Sequence, residues 1–218
     1  MSVSEESSTS LHTGSEDLRQ LLVRGGDLEK AGLEDFSEMS APSSDEDPPP
    51  MTGPTPESTA LLNRAFTDKP AREVRTSFVN ADSSIVVDEG VSEREAGTAA
   101  AWMADMRQVY AECAAWTISL GDQEIPVQVT EPADDPSKPL DLEQQFGDEA
   151  LMRTMIAGTV GEQARITTLL VRDGGRVLEL TFRSLAAEPG SPEAAPLAVA
   201  MARFLELAPA RFLAGPAA

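Results

Sequence analysis

Between Arg165 and Arg183 the sequence reads RITTLLVRDGGRVLELTFR, and this stretch limits the possible folds more than any other. Gly174 and Gly175 supply the positive backbone angles that a tight turn needs, so the two flanking runs are joined as an antiparallel hairpin. In the second run Leu178, Leu180 and Phe182 alternate with Glu179, Thr181 and Arg183. One set faces a core and the other meets solvent or a ligand. A chain organised around such a pair needs a wider sheet, and the sheet needs helices over its apolar side.

The rest of the chain supplies both. Val74 to Val79 and Ser84 to Val91 read as two strands joined by a turn at Asn80 to Ser83, and Thr117 to Thr130 as two more around Gly121-Asp122. Leu151 to Val160 is strand-like as well. Helices are expected at Ser15 to Arg24, stopped by Gly25-Gly26, and at Pro56 to Asp68. The longest spans Glu93 to Trp116, with Ser92 and Glu95 as a capping box. Ala99, Trp102, Met103, Met106, Val109, Tyr110 and Cys113 form its apolar stripe. A last helix runs from Pro192 to Leu207 behind Ser191, with Leu197, Met201, Phe204 and Leu205 as its stripe. Leu28 to Met39 docks as a loop or strand fragment. Short connections between the strands argue for an α+β fold, a two-layer structure in which one antiparallel sheet carries helices packed on one face.

Charge narrows the partners. The formal net charge is −20, and residues 1 to 58 hold 13 acidic side chains against Arg19, Arg24 and Lys30. Such a field repels nucleic-acid backbones and anionic lipid surfaces, which recruit lysine and arginine. Residues 1 to 14 and the proline- and acid-rich stretch at about 41 to 55 have little to bury and are expected to be a disordered tail and a loop within a single domain from 15 to 215. The first residues lack a basic start and an apolar run, so they do not read as a signal peptide. Two settings fit: the cytoplasm, or the cell surface behind an export signal removed from the N-terminus.

Catalytic chemistry is hard to assemble from these residues. The single histidine, His12, lies in the polar tail, which argues against histidine triads and histidine-rich metal sites. Cys113 stands alone on an apolar stripe, the setting of a buried structural thiol. The acidic clusters Asp45-Glu46-Asp47 and Asp134-Asp135 lack the spacing of a calcium loop, and Asp88-Glu89 and Asp148-Glu149 read as surface charge. No enzyme, metal or cofactor is expected. A ligand cleft has candidates in Trp102, Met106 and Tyr110, which equally suit plain core packing. Trp116 is expected at the rim. Arg153, Arg165, Arg172, Arg176 and Arg183 would make a basic spot if several shared the open sheet face, or else balance charge there.

Several segments together resemble a family. The opening SEDLRQLLVRGGDLEKAGL, the helix AAAWMADMRQVYAECAAW, the Phe146 to Leu151 segment and the VRDGGRVLELTF hairpin are similar to actinobacterial exported lipoproteins and sensor domains of the PknH extracellular type. The resemblance spans roughly residues 15 to 213. It implies a non-catalytic, extracytoplasmic ligand-binding or sensor-like domain of a cell-surface lipoprotein, with a small molecule or protein as partner. The chain departs from that group in having one cysteine and no lipobox. The alternative is a cytoplasmic acidic interaction protein or secretion chaperone. Amide hydrogen exchange across residues 1 to 14 and 41 to 55 is expected near the free-chain rate, and strong protection between Ser43 and Pro50 would contradict the loop reading.

Overall fold

The computed structural model describes residues 16–39, 47–95, 97–130, 146–159, 161–185 and 195–215. Nine strands form one antiparallel sheet in the order β1-β3-β4-β9-β8-β7-β6-β5-β2. In chain order they are β1 (Phe36–Met39), β2 (Met51–Thr52), β3 (Arg72–Asn80), β4 (Ile85–Glu93) and β5 (Ala115–Leu120). Then come β6 (Gln123–Thr130), β7 (Glu149–Ala157), β8 (Ala164–Asp173) and β9 (Arg176–Leu185). The Arg165–Arg183 hairpin is β8–β9, and its turn runs through Gly174 at φ 62°. It lies at the middle of the sheet. The helices are α1 (Gly25–Lys30), α2 (Pro56–Thr67), α3 (Thr98–Glu112) and α4 (Ala195–Ala214), with a helical turn at residues 16–19.

The α+β class and the antiparallel sheet read from the sequence hold, and the structure refines the layering. Each half of the sheet is two-layered, but the two halves use opposite faces. Over β3, β4, β9 and β8 the first face packs Phe78, Val87, Leu180 and Leu169 against α4 and the N-terminal segment. Over β8, β7, β6 and β5 the second face packs Leu170, Leu151, Val127 and Trp116 against α2 and α3. β8 serves both: Leu169 and Val171 enter one core and Leu170, between them, the other. Side chains alternate along a strand, so adjacent residues must point to opposite layers.

The first core is centred on Phe204 of α4. Its ring meets Phe36 at 5.6 Å, Phe78 at 5.5 Å and Phe182 at 6.1 Å, in edge-on or tilted arrangements that the ring quadrupoles favour. Leu18, Leu21, Leu22, Leu28 and Leu33 close this core from the N-terminal side. In the second core α2 begins with Thr55, whose hydroxyl accepts the Ser58 N–H at 3.1 Å, and with Pro56 at the tolerated first position. Trp102 fastens α3 to α2: its indole N–H donates to the Ala65 carbonyl at 2.8 Å. The buried Arg94 guanidinium lies over the same indole at 4.3 Å while pairing with Asp68.

Several expected boundaries shift. Ser92 and Glu95 do not cap the long helix. β4 continues to Glu93, Ser92 is buried opposite Val177, and α3 starts behind Gly97 at φ 86°. Pairing on both sides of β4 satisfies the backbone that the cap would have served. Trp116 belongs to β5 and not to the helix end. Gly25 and Gly26 open α1 rather than stopping a helix, and Asp27 accepts the Arg24 N–H at 3.1 Å. α4 continues past Leu207 through Pro209, because Ala208 and Phe212 in its last turns are fully buried. The proline- and acid-rich stretch contains β2, held by Asn63, whose amide donates to the Met51 carbonyl at 2.9 Å. Residues 1–14, Asp45, Glu46, Asp134, Asp135 and Ser191 lie outside the described residues.

Phe204→Ala should remove the shared partner of three rings and lower unfolding free energy by about 3–5 kcal/mol. A urea midpoint unchanged from the parent protein would contradict the central place given to this side chain.

Candidate functional site

Because the helices cover opposite halves, part of the second face carries no described helix. Over β3, β4 and β9 it forms a polar floor bounded on one side by α3, in which Asp88, Thr181 and Arg153 are half-buried and Ser77 and Thr168 are buried. Ser77, Asp88, Thr181, Thr168 and Arg153 stand opposite one another on five adjacent strands. Within this row the Ser77 hydroxyl donates to Asp88 Oδ1 at 2.6 Å, and the Thr168 and Thr181 hydroxyls are 3.1 Å apart. Arg183 reaches diagonally to Asp88 Oδ2 at 2.6 Å.

The next row is Arg75, Gly90 and Glu179. Gly90 has no side chain to stand on the floor, so the Arg75 side chain lies across β4 there. Its Cγ is 3.4 Å from where a β-carbon on Gly90 would be. The guanidinium meets Glu179 at 3.0 Å and Glu73 at 2.8 Å. Burial works against its charge, but Glu179 and Glu73 outweigh that and raise its pKa above the ordinary arginine value. The floor thus sets Arg75, Arg153 and Arg183 against Glu73, Asp88 and Glu179.

Tyr110 of α3 belongs to the second core and comes near enough to this floor for Glu179 and Arg153 to act on it. It is 7 % exposed, and its phenol responds to both Glu179 and Arg153. Burial, with Glu179 adding to it, raises the phenol pKa and keeps the proton on. Among the described residues the Tyr110 hydroxyl has no hydrogen-bond partner. Arg153 donates to the carbonyl of its neighbour Met152 at 2.7 Å and has no carboxylate partner among the described residues. An unpaired phenol and an unneutralised guanidinium therefore lie next to a row of hydroxyls and carboxylates. Such a set can hold a small polar molecule by hydrogen bonds from two sides.

The structure brings together Tyr110, Arg153 and Arg183 of the residues singled out in the sequence. Met106 is 2 % exposed inside the second core, and Trp102 is the half-buried bracket between helices. Trp116, expected at a rim, is 5 % exposed against Phe66, and its buried indole N–H has no partner among the described residues. The basic spot does not form. Arg165 and Arg176 point to the first face, Arg172 is held by Asp148 and Glu149, and Arg183 by Asp88. Cys113 is fully buried at the end of α3, and burial raises its thiol pKa. Asp88 and Glu89, read together as surface charge, separate: Asp88 lies on the floor and Glu89 is fully buried on the opposite face. The period-two alternation held the signal for that split. Ser77, Thr168, Thr181 and Gly90 were missed, because only the register of the sheet aligns them. No group of three metal-binding side chains occurs among the described residues.

No family model matches this chain, and no curated protein matches its sequence. Among solved structures it is similar to the extracellular domain of PknH from Mycobacterium tuberculosis, with a TM-score of 0.53 at 11% identity. That alignment covers 88% of this chain and 95% of the other. A putative uncharacterized protein from Mycobacterium smegmatis, an Rv0999 ortholog, aligns with a TM-score of 0.44 at 11% identity, over 88% of this chain and 97% of the other. The first likeness shows that the chain shares its α+β fold with that domain.

Gly90→Ala should leave the Arg75–Glu179 pair in place, since contact at 3.4 Å is ordinary, whereas Gly90→Leu should displace the guanidinium. A double-mutant cycle with Arg75→Met and Glu179→Gln is expected to read a coupling of roughly 0.5 kcal/mol in the parent and Ala backgrounds and none in the Leu background. Equal coupling in all three would show that Gly90 does not make room for Arg75.

Proposed function

We propose that this chain is a non-catalytic, extracytoplasmic ligand-binding or sensor-like domain of a cell-surface lipoprotein, and that the floor beneath α3 receives the ligand. The observation that carries the reading is the Tyr110 hydroxyl and the Arg153 guanidinium left unpaired beside the registered row of Ser77, Asp88, Thr181 and Thr168. Balanced charges on the floor suit a small, hydroxyl-bearing molecule that is neutral or zwitterionic. A polyanion would meet Glu73, Asp88 and Glu179, and a hydrophobic ligand would desolvate paired charges without replacing their partners. The fold shared with a domain described as extracellular supports the placement outside the membrane.

The floor offers geometry for binding more readily than for bond making. Its carboxylates are engaged by arginines, and Cys113 is buried away from it. Esterase, glycosidase, phosphatase and peptidase assays are expected to be blank. The net charge of −20 favours a second reading, a cytoplasmic acidic interaction protein or secretion chaperone. In that case the partner is a protein with a basic surface, and the floor is ordinary charge-balanced sheet.

Titration of the labelled protein with sugars, polyols, amino acids and nucleosides, followed by NMR, separates the two. Saturable shifts should centre on Tyr110, Arg153, Thr168 and Thr181. Binding should weaken at least about tenfold in Tyr110→Phe/Arg153→Met, since each lost charged or buried hydrogen bond is worth about 1.5–3 kcal/mol. Shifts that map elsewhere, or an affinity unchanged by the double substitution, would remove the floor as the site.

A further inference from the structure

The first face holds a group that the proposed function does not use. Glu89 of β4 is fully buried between Thr76 on β3 and Leu180 on β9, inside the core closed by the N-terminal segment. One carboxyl oxygen, Oε2, accepts the Val23 N–H at 3.0 Å. The other, Oε1, is buried with no partner among the described residues. A charged carboxylate so placed would keep most of its desolvation penalty, since one amide replaces a full shell of water.

The segment it holds is built to be separable. Residues 16–33 contain only a helical turn and the six-residue α1, and add no strand to the sheet. They are fixed by Leu18, Leu21, Leu22, Val23, Leu28 and Leu33 and by a few polar ties. Besides Glu89, the ties run to Arg211 in the last turn of α4. Its Nε donates to the Gln20 carbonyl at 3.1 Å and its Nη1 pairs with Asp27 at 2.9 Å.

From this geometry we infer that the Glu89 carboxyl is a latch: protonated, it docks residues 16–33 onto the sheet, and on ionising it lets that segment go. The charged groups facing it are Arg211 from α4, Asp27 from α1 and Glu38 from β1. Arg211 favours the ionised form, but Asp27 already shares that guanidinium, and Asp27 and Glu38 both oppose a further negative charge. Burial is the largest influence and pushes the Glu89 pKa up to about 8. Once the segment is released, the Glu89 carboxyl left on β4 is exposed and ionises near the ordinary glutamate value of about 4.3. The docked form therefore binds a proton that the released form gives up between these two values. Docking is strongest below that window and weakens as pH rises through it.

The inference does not rest on the ligand reading, and its test uses the whole chain without ligand. Hydrogen exchange at the Leu21, Leu22 and Val23 amides is measured from pH 5 to 9, corrected for intrinsic base catalysis and compared with the Leu180 amide of β9. Protection of the segment should fall at least about tenfold between pH 6 and 8 relative to Leu180. Glu89→Gln keeps an acceptor for Val23 and cannot ionise, so its protection should stay level across the range. Parallel pH curves for the parent and Glu89→Gln, or loss of protection at Leu180 together with Val23, would overturn the latch. If Glu89→Gln does not fold, the carboxyl carbon shift of Glu89 in the parent decides: a midpoint below 5 overturns the proposal and one above 6.5 upholds it.

Discussion

The whole architecture depends on β8 being buried on both faces. Thr167 to Val171 are all buried, so this strand can neither be moved to an edge nor slip by one residue without placing a different set in each core. Its two faces recruit different helices, α4 on one side and α2 with α3 on the other. The diagonal arrangement follows from that double demand. So does the polar floor over β3, β4 and β9, one of the two parts of the sheet that no described helix covers.

Burial on both faces also explains how far the fold could be read from sequence. Strands and turns were legible where apolar and polar residues alternate, as in Leu178 to Arg183, or where glycines mark a reversal. The run ITTLLV of β8 lacks that alternation, and its sequence alone gives half of a hairpin with one wet face. Reading it as doubly buried would have required helices on both sides of the sheet. Ser92 misled for a related reason. A serine three residues before a glutamate is a good local cap, but a central strand gains more backbone pairing by extending through it.

The candidate site was legible in parts and not as a place. Tyr110, Arg153 and Arg183 attracted notice by residue type, and they share the floor. Trp116 and Met106 attracted notice for the same reason and are core. What distinguishes them is register. Ser77, Asp88, Thr181 and Thr168 come from β3, β4, β9 and β8, and no local pattern says that they align. Charge was misleading in a similar way. In so acidic a chain Arg172, Arg176 and Arg183 are drawn into pairs with carboxylates, and the basic patch becomes a mosaic in which Arg153 and Arg165 have no such partner among the described residues.

One feature of the sheet order bears on how the chain reaches this state. Both edges, β1 and β2, come from the first 52 residues, whereas the centre is β8 and β9, which end at Leu185. During synthesis the rims therefore emerge long before the middle to which they are joined. β3 and β4 can pair with each other early, yet β4 must wait almost a hundred residues for β9, its other neighbour. Until then its second edge presents unpaired amides and carbonyls to any strand that approaches. The 13 carboxylates among residues 1 to 58 emerge first, and like charges of that density repel one another between chains whose sheets are still half built.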